Sequence, residues 1–213
     1  MYWVSVEGRT MPHLVGGHPA LDMCNTYAGW GGPPLPKGEW LPDPDALLVW
    51  CLHAGLVDGD LTRELRAEAE SRPAKAHAVL RRVRQLRSDL YWTLVRDDQE
   101  SFDGVAGVAQ RAASEARLVD RGGDAEWVIP ADVGLDLPLL RLGAAAAELL
   151  VSENRAQVRP CPGDECGWLF LDRRGTRRWC SMLTCGNRAK AQAFASRRAA
   201  DRTGLDRAAR RRR

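Results

Sequence analysis

The segment Cys161-Pro162-Gly163-Asp164-Glu165-Cys166-Gly167-Trp168-Leu169-Phe170, continued by Trp179-Cys180-Ser181-Met182-Leu183-Thr184-Cys185-Gly186-Asn187-Arg188, decides the fold of the C-terminal part of this 213-residue chain. Two cysteine pairs, each with four intervening residues, are separated by thirteen residues. A tetrahedral zinc ion takes four ligands. One short turn presents two thiolates and a second turn presents the other two. Cys161, Cys166, Cys180 and Cys185 are therefore expected to hold one structural zinc ion. Catalysis at that metal needs an open coordination position, and four thiolates leave none. None of His13, His18, His53 and His77 is near the cluster in sequence.

The residues between the pairs support a small module. Gly167 to Asp172 alternates, with Trp168 and Phe170 on one face, and reads as a strand. Arg173-Arg174-Gly175-Thr176 supplies a turn, and Arg177 to Cys180 the returning strand. A helix is expected from about Met182 to Ala200, with Cys185 in its first turn, where the helix dipole favours a thiolate. Knuckle, hairpin and helix make a treble-clef-like four-cysteine finger. Trp168, Phe170 and Trp179 form the apolar core that so small a module needs. Loss of Cys180 is expected to unfold the module and spare the rest.

Charge divides the chain at the same place. The net charge of +3 hides 16 Lys and Arg against 5 Asp and Glu over 155–213, and 15 against 23 before it. An acidic body carrying a strongly basic module points to a polyanion as the module's partner. The basic residues expected at such a surface are Arg173, Arg174, Arg177, Arg178, Arg188, Lys190, Arg197 and Arg198. Guanidinium groups suit phosphate oxygens. Arg188 has a second expected role, bracing the carbonyls of the knuckle.

The preceding part reads as helical. Gly29 to Pro44 is a loop rich in Gly and Pro. Asp43-Pro44 starts a helix running to about His53. Asp60 is expected to cap a second helix ending near Ser71. Val79, Val83, Leu86, Leu90 and Leu94 form a helical stripe in a helix from about Ala74 to Val95, with Arg81, Arg82, Arg84 and Arg87 on a solvated face. Asp103 is expected to cap a short helix through Ser114. Ala116 to Asp120 and Ala125 to Pro130 flank a Gly-Gly turn and suggest a hairpin. A helix then runs from Asp136 to about Asn154. No stretch is long and apolar enough for a membrane span, and no secretory signal opens the chain, so the expected location is the cytoplasm. Cys24 and Cys51 read as small buried hydrophobes. The expected architecture is mostly α, with a helical domain over 1–154, the zinc finger over 155–200 and a flexible Arg-rich tail over 201–213.

Trp179 to Lys190 resembles the CGNR zinc finger family, named for the tetrapeptide present here as Cys185-Gly186-Asn187-Arg188. Arg159-Pro160-Cys161, Cys166 to Asp172 and Arg177-Arg178 are also similar to it. Gly16-Gly17-His18-Pro19-Ala20-Leu21-Asp22-Met23-Cys24-Asn25-Thr26 resembles the opening of the helical ABATE domain that accompanies this finger, a domain associated with stress-induced transcription regulation. The resemblance implies a bacterial transcription regulator that binds DNA through the zinc module and is not an enzyme. In such a regulator the helical domain is the candidate sensor for a small-molecule effector, with Asp22, Asn25, Thr26 and Trp30 as candidate pocket residues. The alternative for the first three is that they cap helix ends and tie down the loop. A homodimer is one assembly open to such a regulator. A zinc-dependent protein-interaction adaptor and a small enzyme in the helical domain are the alternative functions.

Overall fold

A computed structural model of the chain describes the backbone of residues 3–210 other than 34 and 37, with side chains as far as 198. The chain opens with a hairpin that the sequence reading does not contain, β1 (Trp3–Val6) against β2 (Arg9–Pro12). Its turn, Glu7-Gly8, places both residues at positive φ (45° and 76°). That is the hairpin-turn geometry whose twist matches the flanking strands.

Six helices build the main body. They are α1 (Pro19–Cys24), α2 (Pro44–His53), α3 (Gly59–Ser71), α4 (Pro73–Arg96), α5 (Gln99–Glu115) and α6 (Leu137–Val151). Asp43 caps α2 by accepting from the Ala46 N–H, as its sequence promises. The caps of α3 and α5 lie earlier than expected. Asp58 and Asp98 accept from the N–H groups of Leu61 and Ser101, which leaves Asp60 and Asp103 inside their helices. Between α5 and α6 sits the expected hairpin, β3 (Arg117–Asp120) with β4 (Ala125–Val128). The α4 stripe Val79, Val83, Leu86 and Leu90 is buried against Trp50, Leu139 and Leu142 in one apolar core. Arg141, a charge within an apolar run, is consumed by the carbonyls of Leu56 and Ile129. The expected solvated arginine face of α4 holds only in part. Arg87 is buried and paired with Glu39 at 2.6 Å, and Arg82 pairs with Asp136.

The C-terminal part begins at β5 (Val158–Pro160), which pairs antiparallel with β6 (Leu169–Leu171). Arg177 to Cys180 does not supply the partner strand. The carboxylate of Asp172 accepts from the N–H groups of both Thr176 and Arg177, which turns the chain away before it can return along β6. The hairpin thus straddles the first cysteine pair. After Cys180 comes the expected helical stretch. A wide opening turn, Met182–Gly186, contains Cys185 and runs into α7 (Asn187–Arg210). This helix passes the expected end at Ala200. The tail expected over 201–213 lies outside the residues whose side chains are described.

All three residues of β6 are buried. Leu169 and Leu171 enter the core of the helical body, and Trp168 and Phe170 enter a second core with three of the cysteines. One edge of β6 is bonded by β5. The other is bonded by the N-terminal domain. Asn25 accepts from the Leu169 N–H at 2.7 Å and donates to its carbonyl at 2.9 Å, and the Leu171 N–H donates to Gly16 O at 2.9 Å. Trp168 donates to Tyr27 O, and its ring meets Trp40, which packs on Trp3. Helical body and zinc module are therefore one packed unit. Asn25→Ala leaves the buried N–H and C=O of Leu169 without their partners and is expected to cost about 2–4 kcal/mol. Denaturant unfolding of variant and unaltered protein checks this, and a change below about 0.5 kcal/mol would show that water replaces the clamp.

Candidate metal centre and basic surface

The first knuckle is shaped by glycine. Gly163 lies so close to the cluster that a Cβ there would stand 2.9 Å from Cys185 Sγ and 3.5 Å from Cys161 Sγ. Gly167, at φ +68°, follows Cys166, and a Cβ there would lie 2.8 Å from the Cβ of Trp30. One glycine lets the loop pass the sulfurs and the other lets the knuckle dock on the helical body.

The four Sγ atoms lie within 4.8 Å of one another, with Cys166–Cys180 at 3.7 Å and Cys180–Cys185 at 3.6 Å. A tetrahedron of sulfurs ~2.3 Å from zinc has edges of about 3.8 Å. The cysteines are free, and these separations are far beyond a disulfide bond. The donor set asks for a cation. Hydrogen bonds from Cys166, Cys180 and Cys185 draw the Cys161 thiol well below its ordinary range, whereas their proximity to Cys161 raises Cys166 and Cys180. The Cys185 thiol is drawn down as well, to about 7, so the cluster takes negative charge at two sulfurs and resists it at the other two until a divalent ion neutralises them. The Cys180 N–H points at Cys161 Sγ at 3.4 Å, an outer contact of the kind that fixes a ligand thiolate. The site is suited to one structural zinc ion, held by two knuckle thiolates, one thiolate after the turn and one from the opening of the helix.

The basic residues separate into two groups. Arg173, Arg174, Arg178, Lys190, Arg197 and Arg198 are exposed. Arg177 turns inward instead. Its guanidinium donates to the carbonyls of Val15 (2.7 Å), Trp179 (3.2 Å) and Cys180, and stacks 4.5 Å above Phe170. It is a tie between module and body and does not belong to the surface on which the sequence reading placed it. Arg188 is exposed and donates to Asp164 O at 3.2 Å, the bracing role expected of it, with Gln192 bonded to the same aspartate's carboxylate.

The candidate pocket residues also divide. Asp22 accepts from the Gly16 N–H at 2.7 Å, Asn25 clamps β6, and Thr26 donates to Met23 O and accepts from Arg87. All three are buried ties within the fold, and only Trp30 lines a cavity. Cys24 and Cys51 are buried, and burial pushes the Cys51 thiol up to about 12. The positions missed by sequence are Gly163 and Gly167 at the knuckle and Glu39, the partner of Arg87. The glycines carried a signal, since each lies beside a cysteine of the first knuckle. Glu39 carried none.

Two measurements test this site. Protein purified without added metal should contain one zinc ion per chain by elemental analysis. Cys180→Ser should lose it and melt as a whole, because the cores are joined, with a fall of roughly 10 °C or more at ~2–4 °C per kcal/mol. A melting curve in which the helical body keeps its own unchanged transition would contradict the joined core. Burial, opposed by the N–H groups of Gly16 and Val15, pushes the Asp22 carboxyl from 3.8 up to about 6. A raised carboxyl pKa makes the folded state hold its proton longer. Stability from this group is full below pH ~3.8 and falls by about 3 kcal/mol as pH rises to ~6. Asp22→Asn keeps an acceptor for Gly16 and removes the titration. The stability difference between the two proteins, followed against pH so that acid release of zinc cancels, should open between pH ~4 and ~6 and then stay constant. A flat difference would place Asp22 in a solvated setting.

Comparison with known families agrees with this geometry. Residues 157–198 match the CGNR zinc finger. Residues 17–153 match ABATE, whose description is "putative stress-induced transcription regulator". No curated protein sequence matches the chain. No helix among the described residues is long and apolar enough to cross a membrane. With more than half of its length matched by one model and its cysteine module by the other, the chain belongs to the ABATE family and carries a CGNR zinc finger behind that domain.

Proposed function

We propose that this protein is a cytoplasmic transcription regulator whose zinc module binds DNA and whose helical domain senses a small molecule or stress. The observation that carries the DNA part is where ion pairs stop. Among the described residues, every ion pair uses a cation no later than Arg155, from Arg9–Asp43 to Arg155–Asp97. Arg173, Arg174, Arg178, Lys190 and Arg197 make none, yet they stand on the turn and helix that the metal holds in place. Uncompensated cations on a rigid scaffold release counterions from a nucleic-acid backbone, and that release supplies most of the affinity. The zinc is structural in this reading, and no catalysis is assigned to it. The helical domain contributes little attraction, since acidic residues outnumber basic ones there, 23 against 15 before Arg155.

A second reading has its own observation. Met182, Leu183 and Phe194 are exposed on the opening turn and helix of the module. Such residues favour a protein contact, either a second copy of the chain or a different acidic protein for which the module is an adaptor. A homodimer would present two basic helices and fits the DNA reading.

Titration of the zinc-loaded protein onto duplex DNA across a range of salt decides between them. Binding should weaken steeply with salt. Replacing Arg173, Arg174 and Arg178 by Ala should lower the salt slope by about 0.9 for each phosphate that the variant leaves unneutralised. Absence of binding at low ionic strength, or an unchanged slope in the triple variant, counts against this surface.

A further inference from the structure

Tyr27, the loop Gly29 to Gly32 and helix α4 line an open cavity of about 370 Å³ on the helical body. This is within the size range of small-molecule sites, ~300–1,000 Å³. Its walls are aromatic and cationic, formed by Tyr27, Trp30, Trp92, Arg84 and Arg87, and Ser88 of α4 also lines it. The rings are mutually fixed. Trp30 stacks on Tyr91 at 3.9 Å with planes 6° apart, and meets Tyr27 and Trp92 edge-on at 5.0 and 6.1 Å.

The charge around these rings is lopsided. Glu39 is shared by two arginines, Arg87 at 2.6 Å and Arg84 at 3.6 Å. Arg96 adds a third guanidinium, 4.1 Å above the ring of Trp92. No carboxylate is among the lining residues. Asp89, on the same helix, packs beside Gly104 of α5. The side chain of Arg87 is 6% exposed, and its terminal nitrogens are spent on Glu39 and Thr26. Two guanidinium groups thus share one carboxylate, and the partly exposed Arg84 leaves positive charge facing an incoming anion.

We propose that this cavity binds a small planar aromatic carboxylate, the ring against Trp30 and Trp92 and the carboxylate toward Arg84. The proposal rests on the sensor reading of the helical domain and gives that domain its ligand class. The site has a physical route to the zinc module. Trp30 is the residue on which Gly167 docks, and the Gly29 N–H donates to Cys166 O at 3.3 Å. A ligand that moves the Trp30 loop therefore moves the backbone of a metal-ligating knuckle.

Calorimetry on the full zinc-loaded chain tests the site with three probes. Indole-3-carboxylate has the ring and the charge, 3-methylindole has the ring alone, and cyclohexanecarboxylate has the charge without a flat ring. The first should bind at least about tenfold more tightly than 3-methylindole, since one charge-assisted hydrogen bond already corresponds to that factor, and more tightly than cyclohexanecarboxylate, which has no flat ring to stack. Ser88→Phe, or Ser88→Gln should the first fail to fold, fills the cavity and should weaken binding at least about tenfold without lowering Tm. Equal affinities for the three probes, no binding of any, or unimpaired binding by a folded cavity-filled variant would overturn the proposal. The three-probe comparison uses the unaltered protein and decides even without a variant. DNA titration with and without saturating indole-3-carboxylate separates the readings. Ligand binding that leaves DNA affinity unchanged keeps the site and removes its sensing role. DNA binding with no ligand binding removes the site and keeps the regulator.

Discussion

A three-residue strand buried on both faces holds this molecule together. Leu169 and Leu171 belong to the core of the helical body, and Phe170 belongs to the core around the cysteines. Burying both faces is favourable only if both edges are also hydrogen-bonded, because an unpaired peptide group in such a place costs as much as the apolar contact contributes. β5 closes one edge. Asn25 and Gly16 close the other, and they come from a part of the chain more than 140 residues earlier. The zinc module is too small to make a stable core alone. It is stabilised from two sides, by the metal within and by the helical body outside.

This arrangement explains where charges and glycines stand. Arg177 lies among module residues that are otherwise free to meet a polyanion, but it bridges carbonyls of both parts, so its charge is satisfied inside. Arg87 has the same relation to Glu39 and Thr26 on the helical side. Gly167 allows Cys166 to approach Trp30, so the loop that lines the aromatic cavity also supports a zinc ligand. Metal, joined core and cavity wall are consecutive links in one chain of contacts. The exposed cations of the turn and α7 lie at its far end.

Much of the helical body was legible because its signals are local. The Asp43-Pro44 start of α2, the apolar stripe of α4 and the Gly-Gly turn between β3 and β4 each lie within one short window. The four-cysteine cluster was legible for the same reason, since zinc imposes its own spacing. The caps of α3 and α5 were misplaced by two and five residues, because several nearby aspartates compete and only tertiary packing selects Asp58 and Asp98. The pairing of β6 was illegible from spacing. Alternation at Trp168 and Phe170 identified a strand, but its partner depends on Asp172 turning the chain away and on β5 lying before the first cysteine. The roles of Asn25, Arg87 and Arg177 depend on partners distant in sequence, and no local pattern announces them. The hairpin of β1 and β2 rests on a Glu-Gly turn that is weaker in sequence than the Asn-Gly form.

One strand makes the zinc module and the helical body a single stable unit, and native-state hydrogen exchange, with and without a zinc chelator, tests this directly. Removing zinc should reduce protection together at Leu169, at Leu171 and in the amides of α1 and its following turn, which lie across the shared edge. Unchanged protection throughout the helical body, with full exchange confined to the residues after β5, would contradict it.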